Sequence, residues 1–135
     1  MKGGIHLKSK DKAVFVAEVA QDKKAKDIQV IELKDLTIIA DYFVICSGES
    51  SAQVKAIADA VDERLSKKRL HPSGIEGLPY ARWVLMDYGD VVVHIFDEET
   101  RAYYGLEKLW LDAPRIALDE DKDTLGGKDK RAISK

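Results

Sequence analysis

Cysteine, long apolar runs and a surplus of positive charge are all scarce in this chain, and each scarcity removes a class of function. The 135 residues hold one cysteine, Cys46, so no disulfide framework can form within the chain. No apolar stretch approaches the ~20 residues that a membrane-spanning helix needs. The opening Met1–Lys12 carries lysines but no apolar h-region, so it does not read as a signal peptide. The expectation is a soluble, cytoplasmic protein. Twenty-two Lys and Arg are set against 24 Asp and Glu, a net charge of −2. A protein that grips nucleic acid through phosphates shows a basic excess, and this one does not. Three histidines, His6, His71 and His94, are too few and too scattered for a sequence-local metal motif.

What is present suits one domain. Hydrophobic residues make up 45% of the chain, enough for a core. Residues 1–11 are polar and read as a flexible N-terminal segment. Asp11 is placed to cap a helix over residues 12–25, with Phe15, Val16, Val19 and Ala20 on one stripe. Asp27–Leu33 alternates as a strand, and residues 34–40 form a connector. Tyr42–Cys46 is a continuous apolar, β-branched and aromatic run, the signature of a strand buried on both faces.

Ser50 opens the clearest helix. Ser50 and Gln53 form a capping box, and Val54, Ile57, Ala58, Val61 and Leu65 recur at helical spacing. Pro72, Gly74 and Gly77 mark a loop with room for a short strand near residues 73–76. Arg82–Tyr88 and Val91–Phe96 flank Gly89-Asp90, which predicts a tight hairpin with a II′ turn. A helix is expected over residues 98–110 with Tyr103, Leu106 and Trp110 on one stripe. From Leu111 onward 12 of 25 residues are charged, so residues 113–135 read as a tail unable to order itself. The element order predicts an α/β single domain: a mixed β-sheet of about five strands with helices packed on it.

Catalytic constellations are sparse. Cys46 lies in the most buried predicted strand, where a thiol is structural and not a nucleophile. His94 interrupts an apolar strand without a fixed partner. It reads as a hydrogen-bonded histidine on the less buried face or at an interface more readily than as a general base. The Ser47–Ser51 corner, between a strand and a helix N-terminus, could hold a phosphate. It lacks the spacing of a P-loop, and capping already accounts for Ser50. Such a corner also occurs in nucleotidyltransferases, which need an Asp-x-Asp pair for divalent metals. Asp87 and Asp90 flank a turn and do not share a strand face. Trp83, Leu85 and Asp87 occupy one face of their strand, and Val84, Met86 and Tyr88 the other. A strand tryptophan is more often core than contact, but Trp beside an acidic residue is also the composition of a binding hot spot.

Three ordered motifs resemble the ribosomal silencing factor (Iojap) family. They are Asp41-Tyr-Phe-Val-Ile-Cys-Ser-Gly48 with the Ser50-Ser51-x-Gln53 helix start, then Glu76-Gly77 ahead of Trp83–Phe96, then Arg101-x-x-Tyr104-x-Leu106-Glu107-x-Leu109-Trp110. The match spans roughly residues 12–112. The resemblance implies a nucleotidyltransferase-like shape without catalysis, no cofactor or metal, and a homodimer when free. It implies binding to the large ribosomal subunit through ribosomal protein uL-fourteen, with steric block of small-subunit joining and repression of translation under nutrient limitation. It involves no membrane and no sequence-specific nucleic acid. By the same resemblance Trp83, Asp87, Tyr88 and His94 match positions at or beside the ribosomal-protein contact. A divergent nucleotidyltransferase and a self-associating scaffold remain as alternative readings.

Overall fold

The computed structural model describes residues 7–118. The expectations for residues 1–6, His6 included, and for residues 119–135 lie outside the described residues. The elements run α1 (Ser9–Asp22), β1 (Lys26–Glu32), β2 (Tyr42–Gly48), α2 (Ser51–Ser66), β3 (Gly74–Glu76), β4 (Trp83–Asp87), β5 (Val91–Asp97) and α3 (Glu98–Tyr104), followed by a 3₁₀ turn over Leu106–Trp110.

The five strands form one mixed sheet in the order β1-β2-β5-β4-β3. Only β2 and β5 run parallel, and the other three pairings are antiparallel. This central parallel pair is buried on both faces: every residue of β2 is buried, and so are Val91–Phe96 of β5. That is the environment a continuous apolar run calls for.

The two faces are covered differently. Helices α1 and α2 pack on one, over Val44, Cys46, Val84, Met86, Val93 and Ile95. Strand alternation sends Ile31, Phe43, Ile45, Val92 and Phe96 to the opposite face. There the cover is thin. The 3₁₀ turn lays Leu106 and Trp110 over one side, and Trp83 and Leu85 are only partly buried on the other.

Three expectations are corrected. Helix α1 begins at Ser9, with Lys8 in the cap position and making no side-chain cap. Asp11 sits inside the first turn, where a carboxylate still complements the helix dipole. The helix stops at Asp22, because Lys24 turns left-handed (φ 65°) and Ala25 N–H donates to Ala20 C=O at 3.0 Å. This is a Schellman closure carried by lysine instead of glycine.

The helix expected over residues 98–110 breaks at Gly105, which is left-handed at φ 55°. Leu106 and Trp110 then turn inward, while Tyr103 and Tyr104 stay exposed.

The chain beyond residue 112 does not leave the domain at once. Residues 114–116 line the outer edge of β1: Glu32 N–H donates to the Pro114 carbonyl (2.9 Å) and Ile116 N–H to the Val30 carbonyl (2.9 Å). Arg115 clamps this strap through the carbonyls of Trp110 (2.6 Å) and Ala113 (2.9 Å) and the Gln29 amide oxygen (3.2 Å). Composition misjudged this stretch because its order comes from backbone pairing to a strand edge that needs covering.

Candidate interaction site on the open sheet face

The hairpin β4–β5 builds the site. Its turn is tight, with Gly89 at φ 87° and the Asp87 carboxylate accepting the Gly89 N–H at 2.8 Å. Register then pairs Trp83 with Phe96 and Leu85 with His94 across the two strands. Trp83, His94 and Phe96 therefore share the open face.

The Trp83 ring stacks on Phe96 with centroids 4.8 Å apart and interplanar angle 30°. It meets Tyr104 at 5.0 Å. Its Nε1–H donates to His94 Nδ1 at 3.1 Å. His94 lies lower, 4% exposed, with Phe43 edge-on at 4.6 Å. Burial lowers the imidazole pKa to about 4, so the ring is neutral at physiological pH.

Around Trp83 opens a groove of about 460 Å³, walled by Tyr80, Arg82, Glu99, Thr100, Tyr103 and Tyr104. Tyr80 and Tyr103 are each 81% exposed. Three devices hold the walls. Gly77 has φ 84°, and a Cβ there would overlap the Trp83 carbonyl oxygen. Only glycine lets the loop carrying Tyr80 lie against β4. On the other wall α3 is capped by Asp97, whose carboxylate accepts the Thr100 N–H at 2.7 Å. Arg101 anchors α3 from below: Nη1 donates to Ser47 Oγ (2.8 Å) and Nε to Glu107 (3.0 Å). The Arg101 side chain is 8% exposed, so this pair couples α3 to the end of β2 and to the 3₁₀ turn in a low-dielectric setting.

The four residues singled out from sequence do not form one surface. Trp83 is partly buried on the groove floor, and His94 lies beneath it. Asp87 is partly buried at the far end of β4, beside the turn. Tyr88 is on the opposite face, 8% exposed among the residues under the helices, so it is a core side chain and not part of this groove. Sequence reasoning missed Tyr80, Tyr103 and Tyr104 as wall residues. The signal was there: adjacent helical residues point about 100° apart, so Tyr103 and Tyr104 cannot both face a core.

The phosphate-corner expectation meets competing partners. Gln53 N–H donates to Ser50 Oγ (3.1 Å), the cap expected, while the Gln53 side-chain carbonyl accepts the N–H of Glu49 (2.6 Å), one residue ahead of the cap, in place of the Ser50 N–H of a full capping box. The Gln53 amide also donates to the Lys23 and Lys24 carbonyls at 3.2 and 3.0 Å, tying α2 to the end of α1. Gly48 is pressed on the helix, where a Cβ would stand 3.0 Å from Val54 N. Asp87 serves its own turn, whereas Asp90 pairs with Lys12 of α1 at 2.7 Å. Cys46 is fully buried, and its thiol pKa is pushed up to about 12. Among the described residues no three His, Cys, Asp or Glu side chains are grouped to hold a metal ion, and no helix is long and apolar enough to cross a membrane.

The fold is an α/β domain with helices on one sheet face and an aromatic groove on the other. The family described as "Ribosomal silencing factor during starvation" matches residues 6–135, and the chain belongs to that family. It is 45% identical over 105 residues to ribosomal silencing factor RsfS of Bacillus subtilis, covering 78% of this chain and 89% of that protein. It is 36% identical over 109 residues to the chloroplastic protein Iojap of Zea mays, covering 81% of this chain and 47% of that protein. A crystal structure of a Chromobacterium violaceum protein superposes with a TM-score of 0.76 at 32% identity, covering 83% of this chain and 92% of that one.

Proposed function

We propose that this protein is a non-enzymatic repressor of translation that acts on the large ribosomal subunit. It docks through ribosomal protein uL-fourteen and sterically prevents the small subunit from joining when nutrients are short. Family membership supports the silencing role. The observation that carries the binding mode is the aromatic groove around Trp83. A partly buried tryptophan on a strand, ringed by exposed tyrosines from a neighbouring loop and helix, is the kind of cluster interface hot spots are built from. The net charge of −2 suits a partner of the basic character typical of ribosomal proteins and disfavours indiscriminate attachment to RNA. The cytoplasm as its location, and a homodimer as its free form, belong to the same proposal.

The test is direct. Purified protein, titrated into isolated large and small subunits, should shift sucrose-gradient profiles from joined ribosomes toward free subunits, with the protein co-sedimenting with the large one. Unchanged joining at saturating protein would overturn the proposal.

A further inference from the structure

The bond between Trp83 and His94 divides labour between two residues that the family resemblance puts together at the contact. Tryptophan's Nε1–H can only donate, so His94 Nδ1 must accept it, and the neutral imidazole carries its proton on Nε2. Phe96 and Tyr104 flank the indole at 4.8 and 5.0 Å and fix the plane of the ring. They are apolar toward it and do not distinguish the ring from its flipped form. The hydrogen bond does, because only one orientation points the N–H edge at an acceptor.

His94 itself is poorly placed to touch a partner. It is 4% exposed and lies between Trp83 and Phe43 on the sheet surface. Its neighbours on the same side of β5 are Val92 and Phe96, so an aliphatic or phenyl side chain would fill the position without a polar group to desolvate. The structure gives this buried polar ring one hydrogen-bonding duty among the described residues, and that duty is Trp83; its Nε2 has no partner there.

We infer that His94 is a positioning residue: by accepting the indole N–H it holds Trp83 in the orientation the groove presents, without meeting the partner itself. The inference rests on the proposed binding function. Its energetic basis is preorganisation. Immobilising a free side chain on association costs conformational entropy, and a ring already fixed in the free protein avoids that cost.

The experiment compares His94→Leu, His94→Asn and His94→Gln in the full chain. Asparagine's Oδ1 occupies nearly the position of the imidazole Nδ1, whereas glutamine places its carbonyl beyond it. Two quantities are read: large-subunit affinity by co-sedimentation, and hydrogen exchange of the Trp83 indole N–H by NMR. That resonance is separated from Trp110 with the Trp110→Phe variant. The expected result is slow indole exchange in wild type and His94→Asn, and fast exchange in His94→Leu and His94→Gln. Affinity should fall about fivefold to tenfold in the latter two and be retained in His94→Asn.

Slow exchange preserved in His94→Leu, or a loss of affinity in His94→Asn equal to that in His94→Leu, overturns the inference. If His94→Leu does not fold, the Asn and Gln pair still decides. Absence of wild-type binding to large subunits overturns the proposed function itself, and the exchange data then report the intramolecular bond separately.

Discussion

Replacing Trp83 with alanine should weaken large-subunit binding roughly 30-fold while leaving the domain folded. A fully buried tryptophan truncated to alanine costs about 3–5 kcal/mol. Trp83 is only partly buried at a groove floor. It loses the ring contacts to Phe96 and Tyr104, worth about 0.5–1.5 kcal/mol each, a more distant tilted contact to the His94 ring at 6.0 Å, and one hydrogen bond of about 1 kcal/mol. Water entering the open groove can solvate the abandoned His94 Nδ1 and recover part of that. A net cost of about 2 kcal/mol lies inside the roughly 5–15 kcal/mol stability of a typical domain, so the protein stays folded.

For binding, a central interface tryptophan is worth about 2 kcal/mol or more, roughly 30-fold in affinity. The control is the next residue. Val84 is fully buried under the helices on the other face, so Val84→Ala should cost about 2 kcal/mol of stability and leave affinity unchanged. Thermal denaturation followed by circular dichroism reads the first quantity, and co-sedimentation reads the second. The reasoning is refuted if Trp83→Ala binds like wild type, or if it unfolds the domain outright.

Two further outcomes follow from local geometry. Acid should destabilise the protein through His94. Its folded pKa of about 4 lies below the unfolded value of 6.5, so the unfolded chain binds the extra proton as pH falls below 6.5. Stability should then drop by about 3 kcal/mol from this group alone, levelling off below about pH 4. Urea denaturation at stepped pH checks it, and His94→Leu should flatten that part of the profile. Gly77→Ala should destabilise by at least about 2 kcal/mol, because the new Cβ meets the Trp83 carbonyl at a left-handed backbone position. A melting temperature unchanged from wild type would contradict the close approach of that loop to β4.

Much of this protein was readable along the chain because its signals are local. The cap at Ser50 requires only residues three apart and forms as read through the Gln53 N–H, whereas the return bond from the Gln53 side chain lands on the Glu49 N–H instead of that of Ser50. The run Tyr42–Cys46 is apolar on both faces, which a strand tolerates only at the middle of a covered sheet, and there it lies, paired with Val91–Phe96, whose His94 is buried beside it and not on a less buried face. Alternation in β4 separated Trp83 from Val84 before any neighbour was known. Tertiary structure alone decided what covers each side. Tyr88 shares its strand face with Met86, so the helices bury it, and no local pattern could say which face α1 and α2 would choose.

The groove belongs to the same category. It joins a loop at Tyr80, a strand at Trp83 and a helix end at Tyr104, brought together by the β4–β5 register and by Arg101 reaching Ser47 across 54 residues of chain. The strap at Pro114–Ile116 is similar. Its composition is that of a solvated tail, but an unpaired β1 edge offers backbone hydrogen bonds that composition does not record. Helices, caps and strand faces follow from periodicity and nearest neighbours. Burial of a polar ring such as His94, and the partner it finds, depend on contacts between segments that only the folded chain brings within reach.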